Sequence, residues 1–220
     1  MKVIESNCSK DQSLKLDTAV ILAGGQSSRM GFDKQFLEIQ GKALLEEMVG
    51  CLKKEFDEII VVTNETESYQ NKDYIIVEDE YKACGPLGGI HVGLKHCHSD
   101  YAYFIACDMP NINLDYIRYM KKRIQESPVS SCVSKNQEGQ IEPLNGFYAK
   151  CITKKIEKKL KANQRAIRYL LKEIDTLYIE AEIVNNYQQE GDMFLNLNTP
   201  DDLNKLLKKK NALQGLQTAL

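Results

Sequence analysis

The chain has 220 residues, 43% of them hydrophobic and 27% charged, and its 29 basic and 31 acidic side chains leave a formal net charge of -2. That is enough apolar material for one sizeable core, and the near balance of charge argues against a duplex nucleic-acid binder, which presents a basic face. No apolar run reaches the roughly 20 residues that span a bilayer, and the seven cysteines are scattered without C-x-x-C pairs. A reduced, cytoplasmic protein with no membrane or nucleic-acid partner is the expectation.

Residues 1–16 lack the apolar stretch of a signal peptide and read as a loose leader. A single domain is expected over 17–208, followed by a helical tail over 209–220. Thr18 to Ala23 (TAVILA) is an almost uninterrupted apolar run, the pattern of a strand buried on both faces of a parallel sheet. Ala43 to Phe56 carries Leu44, Leu45, Met48 and Leu52 at helical spacing. Strands are expected at Ile59–Thr63, Tyr74–Val77, Tyr101–Cys107 and Val129–Val133, with helices at Gly89–Cys97 and Leu114–Glu126 between them.

Ile141–Ala149 reads as a turn and a short strand. Cys151–Ile174 reads as a basic helical region that the Asn163-Gln164 neighbourhood can split, Leu177–Val184 as a strand, and the chain from Pro200 onward as helix. Such alternation predicts an α/β fold, a mostly parallel central sheet covered by helices on both sides, with ligands bound beyond the carboxyl ends of the strands. His96-Cys97-His98 lies too close in sequence to converge on one ion from a helix and reads as a helix end. The lysines of 154–172 fit either a solvated face or a dock for an acidic partner, the former being preferred.

Directly after the first strand comes Leu22-Ala23-Gly24-Gly25-Gln26-Ser27-Ser28-Arg29-Met30-Gly31-Phe32-Asp33-Lys34. Glycines let backbone N–H groups approach a phosphate, Arg29 can grip phosphate oxygens bidentately, and Lys34 adds a compact positive charge. The order matches neither the Walker G-x-x-x-x-G-K-[ST] nor the dinucleotide G-x-G-x-x-G pattern. Two glycines alone would be no more than a tight turn, but the added Arg29, Gly31 and Lys34 favour phosphate binding.

LAGGQSSRMGFDK resembles the signature loop of the molybdenum cofactor guanylyltransferases, within the nucleotidyltransferases that share L-A-[GA]-G-x-S-x-R-M-G…K. Gly24 together with Asp33-Lys34 favours the guanylyl over the cytidylyl branch. The resemblance implies a Rossmann-like, three-layer α/β/α nucleotidyltransferase fold, a Mg²⁺ cofactor, and GTP and molybdenum-bound molybdopterin as substrates. It also points to molybdenum cofactor delivery proteins as partners, and a monomer is expected. A cytidylyltransferase acting on molybdopterin or another phosphorylated small molecule is the alternative, and a nucleotide-binding module without catalysis is a further one.

The other strand ends carry the rest of the resemblance. Asp108, between Cys107 and Met109-Pro110, matches the family's C-D-x-P and is the expected metal ligand; in isolation it would serve equally well as a cap for the segment that follows. Asp79 and Asn64 resemble nucleotide-site positions, and Leu87 and Gly88 lie in the family's G-P-L-x-G stretch against the base. Glu142 to Tyr148 resembles a P-L-x-G-x-Y stretch bordering the acceptor, although an edge strand with a turn explains it as well. Asn196 and Asn198 fall on one face of an extended segment within N-x-N-T-P-[DE]-[DE]-L and are the expected acceptor contacts. The nucleotide site is thus expected at Leu22, Ala23, Gly24, Gly25, Lys34, Asn64, Asp79, Leu87, Gly88 and Asp108, and the catalytic groups at Arg29, Lys34 and Asp108, with Asp108 on the metal. The implied step is in-line attack by the acceptor's terminal phosphate on the α-phosphorus of GTP, which needs no general base.

Overall fold

A computed structural model of the chain describes residues 13–23, 44–64, 73–81, 84–188 and 192–197. The uninterrupted apolar run forms strand β1 (Thr18–Leu22), buried along its whole length. It is followed by β2 (Glu58–Val62), β3 (Ile75–Val77), β4 (Tyr101–Ala106), β5 (Ser131–Lys135), β6 (Ile141–Ala149) and β7 (Thr176–Ile179). These seven form one sheet in the order β3-β2-β1-β4-β6-β5-β7. All neighbours are parallel except β6, which runs antiparallel to both β4 and β5.

Because side chains alternate across a strand, β1 feeds two cores. Ala19 and Ile21 pack with Leu45, Met48 and Leu52 of α1 (helical residues 44–52) and with Tyr116, Ile117 and Met120 of α3 (Leu114–Glu126). Val20 and Leu22 pack on the other face with Leu87 and Ile90 of α2 (Pro86–His96), Ile156 and Leu160 of α4 (Thr153–Lys161) and Leu170 of α5 (Ile167–Leu171). The result is the expected three-layer α/β/α arrangement with a mostly parallel sheet. Helix α2 is buried from Leu87 to Leu94 and approaches the sheet at Gly93, where a Cβ would stand 2.7 Å from Phe104 and 2.9 Å from Val20.

The later half departs from expectation in two places. Ile141–Ala149 is one nine-residue strand, its pairing supplied by β4 and β5 rather than by a local turn. The basic region splits after α4 at the expected Asn163-Gln164 neighbourhood, where Asn163 adopts a left-handed φ of 59°. The strand expected over 177–184 stops at Ile179, and Ala181–Asn185 is helix α6, whose only buried residue is Val184. Two alternating apolar residues read as strand there, but only the helical turn delivers Val184 to the core. Two lysines of α4 are paired within the fold, the exposed Lys161 by Glu157 at 2.5 Å and the buried Lys159 by Glu173 at 2.6 Å. Segments 1–12 and 198–220, with most of the leader and the helix from Pro200, lie outside the described residues, and of the leader's last residues Leu16 is buried in the core and Lys15 N–H donates to Asp100 Oδ2 at 3.0 Å. Among the described residues no helix is long and apolar enough to cross a membrane.

The amino edge of the sheet is tied by Glu58. Its carboxylate accepts from Thr18 Oγ1 at 2.7 Å and from the His98 backbone N–H at 3.0 Å, and it also meets the His98 ring. Thr18 Oγ1 in turn accepts from the Ser99 hydroxyl at 2.9 Å. Burial pushes the Glu58 carboxyl up, but these hydrogen bonds and the His98 charge outweigh it and hold the group below its ordinary value of 4.5. A lowered folded pKa adds stability above the unfolded value and loses it as pH falls through the folded one. Glu58→Gln is therefore expected to cost about 1–3 kcal/mol near pH 7, with the gap from wild type closing as the pH drops below 4.5; urea melts at pH 7 and pH 3.5 check it.

Candidate active site

Strand register places the site. Leu22 lies opposite both Val62 and Ala106, and Val62 opposite Val77, so four parallel strands end in one row. The ladder runs one residue further: Ala23 N–H donates to the Val62 carbonyl at 2.8 Å, Thr63 N–H to Val77 at 3.0 Å and Cys107 N–H to Leu22 at 3.1 Å. The chain leaves β1 toward β2 and β3 on one side, and β4 lies on the other, so this edge holds the crevice where doubly wound sheets bind ligands. Asp79 and Asp108 each stand two residues beyond a strand end, at β3 and β4. Three strand spacings, about 14 Å, separate those strands.

At the β3 end, Leu22, Val62, Thr63, Asn64, Asp79, Gly85, Pro86 and Gly89 line an open pocket of about 260 Å³. The turn into α2 depends on Gly85, whose φ of 67° and ψ of -160° suit only glycine. Pro86 then opens the helix with the fixed φ of a first helical residue. The Asp79 carboxylate lies over the first turn of α2, so close that a Cβ on Gly88 would stand 2.8 Å from Oδ2 and 2.9 Å from Oδ1. Asp79 Oδ1 also accepts from Tyr81 N–H at 3.0 Å. Burial raises its pKa, partly opposed by that bond. Helix α2 has no acidic residue in its first turn, so Asp79 is the anion that meets its positive end.

Of the expected nucleotide residues, Leu22, Asn64 and Asp79 come together in this pocket. Leu87 turns its side chain wholly into the core, so it has only its backbone to offer a ligand. Gly85, Pro86 and Gly89, which also line it, belong to the G-P-L-x-G stretch that carries Leu87 and Gly88, while Thr63 was not singled out from the sequence and had only its position just past β2 as a signal.

At the β4 end, Asp108 is half-buried within a turn closed by Met109 N–H donating to Ala106 at 3.0 Å. Its backbone carbonyl accepts from Leu197 N–H at 2.8 Å. Its Oδ1 is buried and has no hydrogen-bond partner among the described residues, and burial raises its pKa. Asp108 does not cap the following helix: Asn113 does, its Oδ1 accepting from Tyr116 N–H at 2.9 Å. A buried carboxylate oxygen without a donor, at the mouth of a crevice, is the chemistry of a cation ligand rather than of a structural cap. Neighbouring Cys107 is no thiolate, since burial pushes its pKa to about 12. Among the described residues no three metal-ligating side chains cluster.

Asn196 is exposed one residue before Leu197, and thus close in sequence to the contact with Asp108. The segment before it is held by Asn111 Nδ2, which donates to the Asp192 carbonyl at 2.9 Å, and by Asn113 Nδ2, which donates to that of Tyr187 at 2.8 Å. Ala23 stands at the end of β1 between the two aspartates. Gly24, Gly25, Arg29, Lys34 and Asn198 lie outside the described residues.

Known proteins share this chain's sequence and its fold. Residues 19–177 match the family described as the MobA-like NTP transferase domain. The chain is 46% identical over 192 residues to a molybdenum cofactor guanylyltransferase of Syntrophotalea carbinolica, covering 87% of this chain and 91% of the relative. It is 45% identical over 202 residues to a protein of Peptoclostridium acidaminophilum named probable molybdenum cofactor guanylyltransferase, covering 89% and 91%. Among solved structures, a protein from Aquifex aeolicus superposes with a TM-score of 0.70 at 28% identity, over 84% of this chain and 95% of that one. The molybdopterin-guanine dinucleotide biosynthesis protein A of Archaeoglobus fulgidus has the same fold, with a TM-score of 0.70 at 24% identity over 86% and 95%. The fold is therefore that of a nucleotidyltransferase, and the chain belongs to the MobA-like NTP transferase family, among the molybdenum cofactor guanylyltransferases.

Proposed function

We propose that the protein transfers GMP from GTP to the terminal phosphate of molybdenum-bound molybdopterin, forming molybdopterin guanine dinucleotide and releasing pyrophosphate. The observation that carries the reading is the pairing of Asp79 and Asp108 at the two ends of one crevice, with a buried oxygen of Asp108 unpartnered among the described residues. The names of the close relatives support the same reaction. An oxygen of the acceptor phosphate attacks the α-phosphorus of GTP in line, the bond from that phosphorus to the bridging oxygen breaks, and pyrophosphate departs. The attacking phosphate is already anionic, so no side chain has to remove a proton; the protein's task is to align the reactants and neutralise charge.

Asp79, Asn64, Leu22 and the backbone of Leu87 and Gly88 hold the nucleoside, while Ala23, Gly24 and Gly25 carry the chain past the phosphates. Arg29 and Lys34 stabilise the charge on the transferred and departing groups. Asp108 holds Mg²⁺, which when bound draws off charge from the phosphates. Asn196 and Asn198 face the acceptor. The enzyme acts as a cytoplasmic monomer, and cofactor delivery proteins are its partners.

The nucleotide choice is tested by pyrophosphate release from the purified protein with Mg²⁺ and molybdopterin, supplying GTP, CTP, ATP or UTP separately. Release with GTP alone is expected; release with CTP alone would move the enzyme to the cytidylyl branch. Asp108→Ala should lower release at least about a hundredfold, yet leave Tm equal to or above that of wild type, because it removes a desolvated and unpartnered oxygen. A near-normal rate would sink the metal assignment. Gly88→Ala should displace the Asp79 carboxylate without unfolding the chain, weakening GTP binding about tenfold in calorimetry.

A further inference from the structure

Asn145 is a buried polar residue, 1% exposed, that the transfer chemistry does not use. It is one of two non-glycine residues with a left-handed backbone among those described, with φ of 65°. The conformation has a local cause. The β4–β6 ladder ends at the Phe104–Gly146 pair, and the β5–β6 register shifts between Cys132 and Ser134. Pro143, in that gap, has no N–H to pair. The bulge allows Asn145 to point into the layer beneath the late segment 192–197, and asparagine tolerates the left-handed region better than most side chains.

Both ends of its amide are engaged. Oδ1 accepts from the Tyr103 hydroxyl at 2.6 Å, and Nδ2 donates to the Met193 carbonyl at 3.5 Å. Tyr103 cannot drift: it is fully buried, stacked on Phe56 at 5.6 Å between ring centroids and tilted against Phe147 at 5.3 Å. Four residues after Met193, Leu197 N–H donates to the Asp108 carbonyl at 2.8 Å. The segment that carries Asn196 is thus pinned at one end by Asn145 and at the other by the residue assigned to the metal.

We infer that Asn145 is a positioning residue for the acceptor, fixing Met193–Leu197 against Asp108 and so the place of Asn196 at the crevice; this rests on the guanylyl-transfer reading above. Asn145 touches no reacting atom in this account and acts through the segment it holds. Its loss should therefore weaken acceptor use while leaving GTP binding alone.

Two variants test it. Asn145→Gly keeps the left-handed backbone and deletes the amide, and Tyr103→Phe keeps the ring and deletes the donor that orients that amide. In Asn145→Gly the Leu197 amide should exchange with solvent about tenfold faster, with Ile21 and Phe104 amides unchanged, and the KM for molybdopterin should rise about tenfold while the Kd for GTP stays within about twofold. Tyr103→Phe should shift the same two readouts in the same direction by less. Unchanged Leu197 exchange, or a lower Tm with an unchanged acceptor KM, in a folded variant would overturn the inference. Should Asn145→Gly fail to fold, Tyr103→Phe decides by the same readouts. A wild-type protein that makes no pterin product removes the transferase reading instead, and the Leu197 exchange comparison still decides whether Asn145 holds the segment.

Discussion

The in-register parallel pairing of β1 with β2 on one side and β4 on the other sets the positions of everything that matters for chemistry. Because Leu22 stands opposite both Val62 and Ala106, and Val62 opposite Val77, the loops after four strands leave from one edge. A slip of one residue in any of these pairs would turn that strand's side chains to the opposite face. It would also move Asp79 or Asp108 along the strand by about 3.3 Å. Burial of β1 on both faces is what forbids the slip, since Ala19 and Ile21 serve one core and Val20 and Leu22 the other.

The two ends of the sheet treat their carboxylates in opposite ways. At the amino edge Glu58 is saturated by Thr18 and His98 and held below its ordinary pKa, a structural tie. At the carboxyl edge Asp79 and Asp108 are raised by burial, and Asp108 keeps a buried oxygen without a partner among the described residues. Folding alone gains nothing from that oxygen, so its place at the crevice is best understood through what it binds. The same edge is where Leu197 returns to the Asp108 carbonyl, which joins the late segment to the β4 end of the crevice. The fold is thus tied by hydrogen bonds at the base of the sheet and, at the other end, leaves one oxygen of Asp108 without a partner among the described residues.

What could be read from the residues followed how local each signal was. TAVILA announced a strand buried on both faces because nothing polar interrupts it, and Asp79 and Asp108 were legible as residues just past strand ends. The capping alternative for Asp108 needed coordinates to remove, since Asn113 and Asp108 both precede the helix and only geometry shows which one reaches Tyr116. Strand β6 was misjudged because Pro143, Asn145 and Gly146 have the composition of a turn, while their pairing comes from β4 and β5 across the fold. Thr63 carries no motif of its own and lines the pocket only because β2 brings it there. The part of the glycine loop that carried most of the resemblance, with Arg29 and Lys34, lies outside the described residues.

The central claim is the transfer of GMP, and the fate of the phosphates tests it most directly. Molybdopterin and Mg²⁺ would be incubated with the protein and GTP carrying its label at either the α- or the γ-phosphate. The account predicts the α-label in a pterin dinucleotide and the γ-label in pyrophosphate. The α-label in free GMP, or the γ-label in orthophosphate, would mean hydrolysis instead of transfer and would contradict it.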